Sequence, residues 1–391
     1  MTVFDNALLD QLGQQGDPVG DGVIARHAAE RPDDHPRDIV RSVAQHLELP
    51  PEHRSPAISH YLHEHPELPA WADPGVIRDA NEFFGLWGLE IGGALFLASL
   101  PEAYAAARGA RVLTLTARLV TNPLRRIDET AQLVFDVMQP GALEPPAGAG
   151  YLDARRVRLM HAAVRYLILN DPDVARTNDP DAPPGSWYVP GGVPLNQEDM
   201  LGTLMTFTTA AFESLDRECV PYSRAQAESY LHAWCIVGEL LGIHPHLLPI
   251  GLDDAIALTT LIRQRQQRQN PDGELLTSAL VGSLAESMHL HLFESLPASA
   301  TRWLIGDKVA AMVGIDHSGW TDVLFEPLSR LMRLVGLFEV HGRLARRLTN
   351  RMTLQILRDY LRATRSGDRP PFTIPRELKS RLDATSPRWG L

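Results

Sequence analysis

Residues 155–165 read Arg155-Arg156-Val157-Arg158-Leu159-Met160-His161-Ala162-Ala163-Val164-Arg165, and the fold turns on this stretch. Val157, Val164 and Ile168 lie four before, three after and seven after His161, so a helix lines them up as one stripe, apolar except for the imidazole. No Gly or Pro interrupts residues 152–169, and a helix is predicted across them. A histidine among aliphatic neighbours needs a polar partner inside the fold. Arg158 and Arg165, three before and four after it, flank the stripe with no acid close by in sequence. Two readings answer this pattern. One is a core histidine bonded to a carbonyl. The other is a haem whose iron takes the imidazole and whose propionates take the guanidinium groups, with Ala162 and Ala163 letting a flat macrocycle approach. Spacing alone favours the first.

Outward from that helix, apolar residues recur at three- and four-residue spacing from 74 to about 365, with no alternating run joined by Asn-Gly or Asp-Gly turns. The expected fold is all-α: one large helical domain over 74–365, an N-terminal extension over 1–73 and a C-terminal tail over 366–391. Helices are predicted at 74–108, 112–120, 123–138, 152–169, 197–215, 223–241 and 253–269, then several more to 365. The extension is rich in Pro, Asp, Glu and His and reads as wrapping the core. Residues 170–195, NDPDVARTNDPDAPPGSWYVPGGVPL, hold too much Pro, Gly and Asp for a helix and form a long loop. Its Trp187 and Tyr188 either cover an entrance to a site or pin the loop to the core. Asn196 stands as N-cap to the next helix, with Asp199 at the third helical position, much as in a capping box.

Composition narrows the class of protein. Hydrophobic residues make up 44% and charged residues 22%, the balance of an ordinary globular chain. A formal net charge of -11 repels a phosphate backbone, and no basic groove with aromatic platforms is present, so nucleic acid is excluded as a partner. Cys219 and Cys235 give neither a CxxC, nor zinc spacing, nor the CxxCH of covalent haem attachment, so any haem is b-type. The first residues lack a secretion signal, and a cytoplasmic location is expected. Residues 83–100, FFGLWGLEIGGALFLASL, raise the question of a membrane span. Glu90 at the centre and glycines at 85, 88, 92 and 93 favour a buried soluble helix, with membrane association as the lesser alternative. The basic amphipathic stretch 343–365 reads as a solvated face, with anionic lipid or an acidic partner as its alternative.

A second helix, PLRRIDETAQLVF from residue 123, sets Arg126 and Thr130 one turn apart on a stripe continued by Leu133 and Val137. A guanidinium and a hydroxyl there could line a pocket and donate hydrogen bonds to an oxidant, or Arg126 could pair with Asp128 or Glu129 at the surface. Rival metal readings are weaker. Glu286 and His289 have the ExxH spacing of a di-iron bundle without a convincing second copy. Glu228 and His232 make an incomplete ligand pair. His60, His63 and His65 read as a solvated patch.

Taken together, RRIDET, then RLMHAAVR, then PLNQEDMLGTLMTFTTA, then WCIVGELLGI resemble the rubber oxygenase and mycophenolate-pathway oxygenase family, long known as a domain of unknown function. The resemblance covers about 82–249. It implies a globin-like all-α core with haem b and with dioxygen or peroxide as co-substrate, acting on large apolar molecules, including cleavage of isoprenoid double bonds. By motif it implies His161 as proximal ligand and metal residue, Arg126 and Thr130 as catalytic distal residues, and Arg158 and Arg165 as cofactor-supporting residues. Two departures bear on substrate. Rubber-cleaving members carry lysine where Glu129 stands, and an acid slightly upstream, whereas 109–124 holds neither Asp nor Glu. The expectation is therefore a lipophilic intracellular metabolite that is cleaved, hydroxylated or desaturated, with an electron donor as a further partner. The alternatives are a non-catalytic carrier of haem or lipid and a di-iron carboxylate oxidase, which would hold iron without a Soret band.

Overall fold

Proline sets many of the helix starts, because its missing N–H falls where a helix has no use for one. Pro18, Pro36, Pro56, Pro74 and Pro297 all stand in the first turn of a helix. The computed structural model describes residues 4–64, 67–117, 123–179, 186–287 and 295–317. Its helices are α1 (Asn6–Leu12), α2 (Pro18–Ala29), α3 (Pro36–Gln45), α4 (Pro56–His63), α5 (Pro74–Ala94), α6 (Leu100–Ala105), α7 (Ala107–Ala117) and α8 (Pro123–Val137). There follow α9 (Ala149–Asn170), α10 (Gln197–Phe207), α11 (Thr209–Arg217), α12 (Arg224–Leu240), α13 (Leu252–Gln266), α14 (Pro271–Ser287) and α15 (Leu296–Met312). The all-α expectation holds. One departure lies in the long loop, where β1 (Ala175–Thr177) and β2 (Ser186–Tyr188) form a small parallel pair. The basic stretch 343–365 and the tail lie outside the described residues.

Two predicted helices are broken. The run expected over 74–108 bends at Trp87, passes through a π turn at Leu95–Ser99 and breaks into extended backbone at Ala106. Pro101 accounts for the π turn: it cannot donate one turn back, so the register widens before it, and Leu100 N–H reaches the Leu95 carbonyl instead. The run expected over 197–215 breaks at Thr208. Here the Thr208 hydroxyl donates to the Leu204 carbonyl and that of Thr209 to the Met205 carbonyl, so side chains compete for backbone acceptors.

The main core forms where α5 packs along α12. Phe83 is fully buried, 5.7 Å from the Tyr230 ring and 6.0 Å from that of Tyr222, with Phe212 and Trp234 continuing the aromatic cluster. Leu9 and Leu12 of α1 belong to the same core. A second core gathers Tyr104, Leu280, Leu304 and Ile305 from α6, α14 and α15. The continuous span Pro74–Ala105 is long and apolar enough to cross a membrane by length and composition, and 56% of its most apolar window is buried against the rest of the chain.

Glu90 is half-buried on α5, and its charge bears on Glu218 at the end of α11. Burial, then repulsion from Glu90, push the Glu218 carboxyl up to about 7. A carboxyl raised by folding stabilises while protonated, and that contribution fades as pH rises from the ordinary carboxylate range through 7. Glu218→Gln is therefore expected to match the wild type near pH 4 and to exceed its stability by on the order of 1–3 kcal/mol at pH 8. Denaturant unfolding across that pH range checks this; parallel profiles would show that no such coupling exists.

Candidate functional site

The histidine helix α9 meets a different neighbour on each side. Leu159 is buried against Val23, Ile58 and Tyr61 of α2 and α4. Ala162 and Ala163 are buried against Ile24 and Ile39 of α2 and α3. Ile168, with Val164 beside it, packs on Val112 and Leu115 of α7 and on Trp187. Helix α8, which carries Arg126 and Thr130, also packs against α9. Along the predicted stripe, Val157, His161 and Val164 are half-buried, and the His161 Nδ1 is screened from solvent.

Arg158 and Arg165 do not share that stripe. With Ala162 they occupy positions i, i+7 and i+4 of a second one, turned to α2. Arg158 donates from Nε and Nη2 to the two carboxylate oxygens of Asp17, both at 2.6 Å, a bidentate pair in which Asp17 is 1% exposed. Arg165 donates from Nε to Asp21 at 2.7 Å and from Nη1 to the Leu195 carbonyl at 2.8 Å. The reading that these guanidinium groups lack acids and await propionates is thereby corrected: their acids come from the N-terminal residues, far off in sequence and adjacent in space. Asp17 is the N-cap of α2, yet its carboxylate makes no cap bond, being committed to Arg158. Its own N–H is accepted by Asp21 at 3.1 Å.

Close backbone approach makes this pairing possible. A Cβ at Gly20 would fall 3.3 Å from the Ala162 methyl and 2.5 Å from Asp17 Oδ2. Gly242 has φ +100, and a Cβ there would stand 2.6 Å from the same oxygen and 2.9 Å from Arg158 Nε. Gln197, fully buried, ties the surroundings together. Its Nε2 donates to the carbonyls of Gly16 and Gly242, each at 2.9 Å, and its Oε1 accepts from His244 N–H at 3.0 Å. Leu195, held by Arg165, takes φ +52, a left-handed conformation unfavourable for leucine.

The start of α10 carries the expected capping box, Asp199 N–H donating to Asn196 Oδ1 at 2.9 Å. It also carries an ion-pair network that sequence reading missed. Glu198, 1% exposed, accepts from Arg108 and Arg265 at 2.8 and 2.9 Å, while Asp199 accepts from Arg108 at 2.8 Å. Burial works against the Glu198 charge, but Arg265 and Arg108 outweigh it and hold the carboxyl below its usual range.

Of the other predicted site residues, Thr130 is half-buried on α8, and the Arg126 side chain lies outside the described residues. Among the rival metal groups, Glu228 accepts from Leu252 N–H and His232 Nε2 from Asp73 N–H, so both have structural work. His60 pairs with Glu64, and His63 bonds the Ser59 carbonyl. His65, His289 and the side chain of Glu286 lie outside the described residues. His35, Asp171 and Asp173 cluster closely enough for a cation, but Arg37 already bridges the two carboxylates at 2.9 and 3.0 Å.

The donor set on α9 fits a b-type haem. One imidazole, His161, stands at mid-helix among aliphatic neighbours on a half-buried stripe, where it could serve as an axial nitrogen donor, and the Arg158 and Arg165 charges are paired with Asp17 and Asp21. Asp17 and Asp21 were not found from sequence because nothing local links them to α9. The only signal was the Asp-Pro start at 17–18 and an acid one turn later.

The family model described as "ER-bound oxygenase mpaB/B'/Rubber oxygenase, catalytic domain" matches residues 80–337. A rubber oxygenase from Streptomyces sp. (strain K30) is 27% identical over 252 residues, 63% of this chain and 58% of its own length. The chain thus matches under three fifths of that relative. The solved structure of a latex clearing protein in the closed state superposes with a TM-score of 0.67 at 22% identity, covering 88% of this chain and 90% of that one. It shares the fold.

Removing Asp17 strands a guanidinium inside the α2–α9 interface. Asp17→Ala is expected to cost about 3–5 kcal/mol in denaturant unfolding, while Asp17→Leu combined with Arg158→Met costs clearly less than the single change. A loss below about 1 kcal/mol for Asp17→Ala would mean that the pair does not hold the helix.

Proposed function

This chain belongs to the ER-bound oxygenase mpaB/B′ and rubber oxygenase catalytic-domain family, and from that premise we propose that it is a haem b-dependent oxygenase acting on a lipophilic substrate, with His161 as its iron ligand. The observation that carries the reading is the half-buried imidazole at the middle of α9, within the matched region and on the side not taken up by the arginine clamp. When bound, haem would supply the redox chemistry by which dioxygen or peroxide attacks an apolar carbon framework.

The chain's own share of the work is to bind, orient and protect. His161 supplies one nitrogen, and its helix is fixed from behind by Asp17 and Asp21, with Gln197 holding the neighbouring Gly16 and Gly242 backbone, so the imidazole is mounted on a rigid support. Arg126 and Thr130 of α8 are assigned to the oxidant side, Arg126 donating a hydrogen bond to developing negative charge and Thr130 holding or passing a proton. Neighbouring aliphatic residues such as Val157 and Val164 exclude water and favour an apolar substrate. Glu129 stands where rubber-cleaving members carry lysine, and 109–124 holds no acid, which supports a small or medium lipophilic metabolite over the polymer. Cleavage, hydroxylation and desaturation all use this arrangement.

Purified protein reconstituted with haem is expected to show a Soret band and a b-type pyridine haemochrome. His161→Ala should lose the pigment or change its spectrum, while Arg126→Ala should keep the pigment and lose about a hundredfold in turnover of a polyisoprenoid or aromatic test compound, a preorganised donor being worth on the order of 3 kcal/mol in barrier. A colourless reconstituted protein, or an unaltered spectrum in His161→Ala, would refute the assignment. Reversible oxygen or lipid binding without product would make the protein a carrier.

A further inference from the structure

A cavity of about 140 Å³ opens between the start of α7, the end of α13 and the β2 strand. Its lining holds four arginines, Arg108, Arg111, Arg265 and Arg268, and among the described residues no carboxylate, although the chain as a whole carries a net charge of -11. The acids that steady these side chains lie outside the lining. Glu198 and Asp199 hold Arg108, Glu198 and the exposed Asp10 hold Arg265, the latter at 2.7 Å, and Asp272, fully buried, holds Arg111 at 2.6 Å. Three guanidinium groups are therefore fixed in place before any ligand arrives, which lowers the ordering cost of binding. Arg268 is exposed and has no acid partner among the described residues; its backbone N–H is bonded to the Ala105 carbonyl and its own carbonyl accepts from Asn270 Nδ2 at 3.1 Å.

The remaining wall is aromatic. Trp187 is 2% exposed and anchored by Nε1–H donation to the Gly192 carbonyl at 3.2 Å, and Tyr188 is half-buried beside it, with Gly191 close against its ring. On its other side Trp187 packs with Ile168, Val112 and Leu115, so an apolar layer continues from this cavity towards the face of α9 that carries His161. A space near 150 Å³ admits a benzene-sized body.

We propose that this cavity binds a small organic oxyanion, a phosphate monoester with a compact aromatic body, its head held by the arginines and its ring laid against Tyr188 and the edge of Trp187. This site is distinct from the one assigned to haem and does not depend on that assignment. The arginines suit it because a guanidinium fork matches phosphate oxygens and stacks on aromatic rings.

Titration calorimetry on the full-length protein, with phenyl phosphate as the probe and benzyl alcohol as its neutral counterpart, tests the idea. Phenyl phosphate should bind at least tenfold more tightly than benzyl alcohol and lose affinity as salt rises. Arg268→Gln, a change at an exposed position, and Tyr188→Ala should each weaken it about tenfold, while far-UV circular dichroism and haem binding stay as in the wild type. No binding at millimolar probe, equal affinity for the neutral compound, or unchanged affinity in Arg268→Gln would overturn it, and none of these outcomes touches the reading of His161.

Discussion

The ion pair between Asp17 and Arg158 is the constraint around which the rest is arranged. Two charges at 2.6 Å with little solvent contact are tolerated only where both are fully hydrogen-bonded, and here both carboxylate oxygens and two guanidinium nitrogens are used. The pair needs backbone within touching distance, which is why glycine stands at 20 and at 242, and it needs a fixed frame, which Gln197 provides. Such a pair contributes modestly to net stability. Its stronger effect is to permit one register of α2 on α9 and penalise the others, since a one-residue slip would leave a charge alone inside.

That register divides α9 by function. One side presents Arg158 and Arg165, with Ala162 between them, to the N-terminal helices, and the His161 stripe packs on α7 through Val164 and Ile168 while the imidazole itself stays half-buried. A single amphipathic stripe would not have allowed this. Because the Arg158 and Arg165 charges are paired with acids inside the protein, the His161 stripe is apolar apart from its imidazole.

Much of this was legible in the chain. The periodicity around His161 located α9, and Asn196 with Asp199 announced the start of α10. The reading of Arg158 and Arg165 failed in a specific way. Helical spacing places a side chain on a face but says nothing about which distant segment covers that face, and here the covering acids lie at 17 and 21. The breaks at Pro101 and Thr208 were missed for a related reason. A long apolar period survives a π turn or a hydroxyl bonded to the backbone, so the pattern continues where the helix does not. The network of Glu198 with Arg108 and Arg265 joins three elements at once and leaves no trace in the local sequence.

Asp17 and Arg158 are 141 residues apart, so joining them closes a loop that includes most of the core's first half. Closing a loop of that length is entropically costly, and its gain comes only once the intervening helices have collapsed. The acid leaves the ribosome long before its partner and must wait for it. The mounting of α9 is thus a late event in the life of each new molecule, complete only after the chain has drawn its own beginning back over its middle.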